Sequence, residues 1–238
     1  TLLVLFGYRA DAQIVGTSVY LQGAYVEIGM LGNGSFGVPS GAPAGYHPHV
    51  FGTALAEVYD YGHDGWAVGA PPYMGDYTYP GSPFEGWEVQ CNGARTQGYQ
   101  YSGTGYTFSG GGTMTGSGIT SYTNSGGTIR GYWSGIVSGG NLQMNSETRV
   151  DTFGSAVVVT VRFYNTSGTD IPGVYYWRSC DPDNDETWPG GGFSTNNVIN
   201  FQNATIPNPT HKVEVTAKGN SATNPPLSLC TKDGRAVA

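Results

Sequence analysis

The feature that most constrains the fold of this chain is its alternation of side chains with a period of two. Residues 141–150 alternate strictly, and residues 156–164 form the most β-prone run in the sequence. Gly-rich sequences such as Ser125-Gly-Gly and Ser138-Gly-Gly separate such runs and predict hairpin turns. Almost no segment has helical periodicity. More than a dozen short strands without helices predict an all-β fold, an antiparallel β-sandwich that could be a large two-sheet one with a long aromatic loop insertion.

Composition indicates an extracellular protein. Charged residues make up 11% of the 238 residues, against about 25% in an ordinary cytosolic domain. Solubility must therefore come from hydroxyl and amide side chains. The formal net charge of −7 argues against a nucleic-acid partner, because few cations are present to neutralise phosphates. No stretch approaches the roughly 20 apolar residues that a membrane-spanning helix needs.

The first residues resemble the end of a signal peptide. An apolar run at 1–7 precedes Ala10-Asp-Ala12, which matches an A-x-A cleavage pattern before Gln13. The alternative is a buried first strand, since the same apolar residues favour strands. We expect residues 1–12 to be a signal-peptide remnant and residues 13–238 to form one sandwich domain, with sub-regions 13–138 and 139–238. The run that begins at Arg235 stops in mid-strand, which predicts C-terminal truncation.

Three widely spaced cysteines restrict the thiol chemistry. Cys91, Cys180 and Cys230 are too far apart in the sequence to form a CxxC motif, which excludes the usual zinc and redox motifs. In an oxidising compartment one disulfide could form and leave one thiol over, and the sequence does not choose the pair.

An acidic run after a predicted strand is the candidate metal site. Asp181, Asp183 and Asp185 alternate, and three carboxylates in this pattern can converge on Ca²⁺, which takes 6–8 oxygen ligands. Asn184 or backbone carbonyls could complete the shell. The alternative is a solvated turn in which Asp and Pro serve turn formation. If calcium binds, we expect a structural role.

The aromatic insertion at 59–87 is the candidate ligand-binding segment. It interleaves tyrosines and tryptophans with carboxylates, glycines and prolines. Sugars stack their C–H faces on aromatic rings, and carboxylates and amides accept hydrogen bonds from their hydroxyl groups. The candidate ligand-binding residues are Tyr73, Tyr77, Tyr79, Trp66 and Asp76.

The alternative is that the rings of this insertion pack the loop onto the sheet, because a long ordered loop needs its own small core. Packing is the favoured interpretation overall, and in particular for Trp66 and Trp87. Tyr73, Tyr77 and Tyr79, which lie among Pro and Gly, are the residues that we expect to be exposed.

Catalytic motifs are weak, and we expect no enzyme activity. The carboxylates of Glu85 and Glu88 should lie on opposite faces of a strand, which separates a pair that a glycosidase would need together. No G-x-S-x-G sequence is present. His47, His49 and His63 have no metal-site spacing and are expected in turns or at the surface.

Several segments resemble large secreted surface proteins of the Bacteroidota. The resemblance is carried by residues 21–30, by Asn33-Gly-Ser-Phe-Gly, by Ala44-Gly-Tyr-His-Pro, and by the region from Val157 through 175–185. It implies the N-terminal β-rich region of an adhesin-type protein associated with type IX secretion or gliding motility. It supplies no catalytic residues.

Three functions follow as hypotheses. The first is an extracellular or cell-surface binding module, adhesin-like, glycan-binding and calcium-stabilised, whose partner is a glycan or a neighbouring surface protein. The second is a purely structural extracellular scaffold or filament segment. The third is a carbohydrate-active enzyme.

Overall fold

The computed structural model describes residues 10–39, 41–48, 53–60, 62–63, 65–66, 77–78, 84–99, 115–137, 140–182, 184, 192, 195–201, 213–220 and 226–236. This part of the chain contains strands and no helix. The strands are β1 (Asp11–Val15), β2 (Ser18–Gln22), β3 (Val26–Met30), β4 (Glu57–Tyr59), β5 (Phe84–Cys91), β6 (Ala94–Tyr99), β7 (Thr115–Ser125), β8 (Thr128–Val137), β9 (Leu142–Asp151), β10 (Val157–Asn165), β11 (Tyr175–Asp181), β12 (Asn196–Phe201), β13 (Val213–Lys218) and β14 (Pro226–Thr231).

These strands form antiparallel sheets, so the all-β antiparallel prediction is confirmed. The first sheet has the order β1-β2-β3-β4, the second β10-β9-β8-β7, the third β11-β5-β6 and the fourth β12-β13-β14. The chain divides into two compact units, Thr1–Asp181 and Pro182–Ala238. The first three sheets belong to the first unit and the fourth belongs to the second.

The second sheet shows how the sequence pattern produces strands. In β8 and β9 almost every second residue is buried, as the period-two alternation predicts. The predicted Ser125-Gly-Gly turn joins β7 to β8, and both of its glycines have positive φ, of 62° and 75°. Only glycine adopts such a pair at no steric cost, which is why the hairpin reverses there.

The core of the first unit draws apolar side chains from its three sheets, in a sandwich-like arrangement. Leu21 and Ile28 come from the first sheet, Ile129 and Met144 from the second, and Trp87 from the third. Each of them is at most 2% exposed. Because successive side chains point to opposite faces of a sheet, one face of each sheet packs in this core and the side chains of the other face make different contacts.

Two tryptophans connect the core to one loop of the first sheet. The indole N–H groups of Trp87 and Trp133 donate to the carbonyl oxygens of Asn33 and Gly32, at 3.0 and 2.9 Å. Their ring centroids are 5.5 Å apart. Gly98 lies against Trp87, since a Cβ at this position would lie 2.5 Å from the indole. The third sheet therefore needs glycine at that point.

The N-terminal residues before the predicted cleavage point take part in the first sheet. Asp11 and Ala12 pair with Gln22 and Leu21. Residues 1–9 lie outside the described residues, and the signal-peptide interpretation stays a prediction. The described residues contain no helix with the length and hydropathy to cross a membrane.

Candidate functional site

The aromatic insertion lies mostly outside the described residues, and Tyr73, Asp76 and Tyr79 are among those not described. The exposure expected for Tyr77 is wrong, because its side chain is only 2% exposed. Its ring packs edge-on against Tyr59 at 5.1 Å, and its backbone N–H donates to the Glu57 carbonyl at 2.9 Å. These contacts bury the ring against β4 and remove its faces from any surface ligand.

Trp66 packs as expected. Its indole stacks on the His47 imidazole, with centroids 4.5 Å apart and planes within 1° of parallel. The buried carboxylate of Asp60 accepts hydrogen bonds from the backbone N–H groups of Gly65 and Trp66. Trp87 is buried in the main core, so the packing interpretation is confirmed for both tryptophans.

The histidines occupy separate positions. The fully buried Glu27 carboxylate accepts the backbone N–H of His47 at 2.7 Å, and its other oxygen lies 2.8 Å from Nδ1 of His47. His63 stacks on Tyr25 at 3.9 Å, and His49 lies outside the described residues. Within the described ranges, no three His, Cys, Asp or Glu side chains are grouped to hold a metal ion.

The predicted calcium ligands are only partly described. Asp181 ends β11 and is exposed, whereas Asp183 and Asp185 lie outside the described residues. Asn184 is buried, and its side-chain amide donates to the Ala217 carbonyl at 2.7 Å. That contact ties the Asn184 side chain to β13. The calcium site stays a prediction.

The three cysteines are free thiols. Cys91 is buried, Cys180 is half-buried and Cys230 is exposed. Burial raises the pKa of the Cys180 thiol well above its ordinary value, and nearby carboxylates such as Glu57 add to the shift. A thiol in this environment is a poor nucleophile, because the thiolate is the reactive form.

Glu85 and Glu88 lie on opposite faces of β5, as the alternation predicts. Glu85 points to the buried face, where its carboxylate meets Arg178 Nε at 2.6 Å and accepts the Phe36 backbone N–H at 2.6 Å. Glu88 points to the outer face, where its Oε1 atom lies 3.5 Å from Arg95 Nε. The two carboxylates therefore have different partners on opposite faces of the strand.

The outer face of the third sheet presents two exposed aromatic rings. Tyr175 and Trp177 are 56% and 44% exposed, and their ring centroids are 5.9 Å apart with planes inclined by 31°. They share this face because they are two residues apart on β11. Two large rings side by side on a solvent-facing sheet form a stacking surface, which we call the aromatic platform.

Polar side chains border the aromatic platform in register. Glu88 on β5 lies directly opposite Trp177, and Gln90 lies opposite Tyr175. Arg95 on β6 lies opposite Gln90. Glu88 is buried, and its Oε2 atom has no hydrogen-bond partner among the residues that the structure describes. The platform thus combines two exposed rings with a buried carboxylate oxygen that accepts no hydrogen bond from the described residues.

The buried face of the same strands fixes the position of the platform. Arg178 follows Trp177, and its guanidinium lies over the Phe36 ring at 4.3 Å as well as against Glu85. Burial raises the pKa of Glu85, and Arg178 and the Phe36 N–H oppose the rise. Burial lowers the pKa of Arg178, but Glu85 and Tyr176 outweigh it and the net shift is upward. The charged pair therefore anchors β11 to β5 and to the Phe36 loop.

The sequence contained a signal for this platform. Residues 174–179 are rich in the aromatic and β-branched residues that favour strands, and alternation alone places Tyr175 and Trp177 on one face. The sequence did not indicate that this face is the exposed one, because the opposite face carries Arg178. The burial of Arg178 depends on its ion pair with Glu85, which lies far from it in the sequence.

The chain matches no known protein family, no curated protein and no solved structure. The resemblance to Bacteroidota surface proteins accordingly stays a prediction.

Proposed function

We propose that this protein is an extracellular, cell-surface binding module of adhesin type that recognises glycans through the aromatic platform. The carrying observation is the exposed Tyr175–Trp177 pair beside the buried Glu88 carboxylate, whose Oε2 atom has no hydrogen-bond partner in the described part of the chain. The platform replaces the set predicted in the aromatic insertion as the proposed contact surface, since Tyr77 is buried and Trp66 is packed.

The chemistry of sugars fits this combination. A pyranose ring offers an apolar C–H face, which the faces of Tyr and Trp rings can cover, and hydroxyl groups around its edge. A buried acceptor without a hydrogen bond costs about 1–3 kcal/mol. A sugar hydroxyl that donates to Glu88 Oε2 recovers that cost. Gln90 and Arg95 add donors at the rim of the same surface.

The low charge content and the A-x-A pattern support an extracellular location. Calcium at Asp181, Asp183 and Asp185 belongs to the proposal as a stabilising ion, because Asp181 ends the strand that carries the platform. The proposed partners are an extracellular glycan or a glycosylated neighbouring surface protein.

The test is retention of the full chain by neutral polysaccharides, namely cellulose, xylan, chitin and β-1,3-glucan, together with a soluble glycan array. Tyr175→Ala and Trp177→Ala are the test variants. Tyr122→Ala is the matched control, because Tyr122 is 42% exposed but lies in β7 of the second sheet. We expect Trp177→Ala to weaken binding about 30-fold, the value of one aromatic hot spot, and Tyr122→Ala to have no effect.

The same experiment is run in calcium and in chelator. Retention that is lost in chelator would support the calcium part of the proposal. Absence of retention by a folded sample, or retention that survives both platform substitutions, would overturn the glycan proposal. The structural-scaffold hypothesis would then take its place.

A further inference from the structure

The outer face of the second sheet carries an unusual concentration of arginines. Arg130 on β8, Arg149 on β9 and Arg162 on β10 all point away from the core. They are three of only ten lysines and arginines in the chain. A protein with a formal charge of −7 therefore presents a locally cationic surface, which we call the arginine face.

Two of these arginines lie directly opposite each other. Arg130 pairs with Arg149 in the β8–β9 register. Like charges in opposite positions of adjacent strands destabilise a sheet. Glu147 and Asp151 reduce this repulsion in the free protein, and an anion between the two guanidinium groups would reduce it further.

The neighbouring carboxylates do not saturate these guanidinium groups. Glu147 lies 3.3 Å from Arg130 Nε, and Asp151 lies 3.5 Å from Arg149 Nε. Charge-assisted hydrogen bonds are shorter, at about 2.7–2.9 Å. Among the described residues, Arg149 Nε has no hydrogen-bond acceptor, and the exposed Arg162 forms no ion pair. Three positive charges face two negative ones, and several N–H donors remain available.

The rest of the face suits an extended chain of sugars. Tyr164 is 46% exposed at the end of β10, and Tyr132 lies on the same face of β8. Arg162 lies opposite Asn145, four residues from Arg149 along β9, which corresponds to about 13 Å at the rise of a strand. The cations are thus distributed along the strands, as repeated anionic groups on one linear ligand would require.

We propose that the arginine face binds an acidic polysaccharide whose sugar rings carry carboxylates. The planar guanidinium fork matches a carboxylate in two parallel hydrogen bonds, and exposed tyrosine rings cover sugar faces. This site differs from the aromatic platform in both position and chemistry. It therefore does not depend on the proposed function.

The probe is alginate, with uncharged dextran as the comparison polymer, and retention of the full chain is measured at several salt concentrations. The test variants are Arg149→Gln, Arg162→Gln and the double variant. Arg235→Gln is the matched control, because it removes the same charge from an exposed arginine that pairs with Asp233 outside the second sheet. Arg149→Lys keeps the charge and removes the fork.

We expect alginate to retain the chain at low salt through the arginine face, and any retention by dextran to be the same for the arginine variants as for the wild type. Each glutamine variant should weaken retention roughly tenfold, as the loss of one charge-assisted contact does, and should make it less sensitive to salt. Arg149→Lys should fall between Arg149→Gln and the wild type.

Absence of alginate retention at low salt would overturn the proposal. So would an equal loss in Arg235→Gln, which would indicate charge alone, or full retention of the double variant. Melting curves from far-UV circular dichroism establish that each variant is folded. Retention of neutral glycans by the arginine variants separates failure here from failure of the proposed function.

Discussion

Removal of the Glu85 carboxylate should strongly destabilise the first unit. Glu85 is 3% exposed at its side chain and Arg178 is 15% exposed, and their charged atoms are 2.6 Å apart. Glu85→Ala leaves the guanidinium buried without its carboxylate and removes the acceptor of the Phe36 N–H. Breaking a buried ion pair from one side costs about 3–5 kcal/mol. For a unit of this size we expect Tm to fall by roughly 6–20 °C.

The assay is urea unfolding and thermal unfolding of the full chain, followed by far-UV circular dichroism. Glu88→Ala is the matched control, because Glu88 lies three residues away on the other face of β5 and pairs with a half-exposed Arg95. Solvent can hydrate Arg95 when its partner is removed, so this control should cost at most about 1 kcal/mol.

A double variant tests whether the destabilisation comes from the buried charge that is left without a partner. In Glu85→Gln combined with Arg178→Met, neither charge remains, and the buried face keeps similar volume. We expect the double variant to be more stable than Glu85→Ala, because the penalty arises from the charge left alone rather than from the lost attraction. A Glu85→Ala cost below about 1 kcal/mol, or a double variant no more stable than the single one, would refute this account.

Three further outcomes are expected. Gly98→Ala should destabilise the first unit by about 1–3 kcal/mol, since its Cβ would lie 2.5 Å from the Trp87 ring and 2.7 Å from the Asn33 carbonyl oxygen; Gly118→Ala, which meets nothing within 4 Å, is the control, and equal unfolding midpoints would contradict the prediction. Burial raises the pKa of Tyr59 and Tyr176 in the folded state, so stability should be complete below pH about 10, the ordinary tyrosine value, and decline as the pH rises above it. Phenolate absorbance that reached the level of all 17 tyrosines while circular dichroism stayed native would be inconsistent with that burial. Trp133→Phe should cost about 1 kcal/mol or more through the lost hydrogen bond to the Gly32 carbonyl, and unchanged urea unfolding would count against it.

The sequence predicted the positions of the strands better than it predicted which strands pair with each other. The alternation in β8 and β9 and the Ser125-Gly-Gly turn are local signals, and the structure agrees with them. The pairing of β5 with β11 is not local, because it joins strands with five others between them in the chain. The third sheet therefore could not be derived from periodicity.

The candidate site was harder to predict for a related reason. The density of aromatic residues predicted a ligand-binding surface at residues 59–87. Of the three tyrosines expected to be exposed there, Tyr77 is the one that the structure describes, and it is buried. Exposure of an aromatic residue depends on which face of its strand meets the core. Arg178 points into the protein and Trp177 points out of it, the reverse of what hydrophobicity alone indicates. Glu85 compensates the arginine, and its contribution is visible only in three dimensions.

The pairing of Trp87 with Trp133 also has a spectroscopic consequence. Both indoles are buried, donate to neighbouring carbonyls and lie 5.5 Å apart, so their emission should be blue-shifted and shielded from acrylamide. Trp177 is 44% exposed, and its emission should be red-shifted and readily quenched. Among the described tryptophans, Trp87 and Trp133 therefore form a shielded class and Trp177 a quenchable one. The buried pair reports the integrity of the core, and the quenching that Trp177→Ala removes reports the accessibility of the aromatic platform.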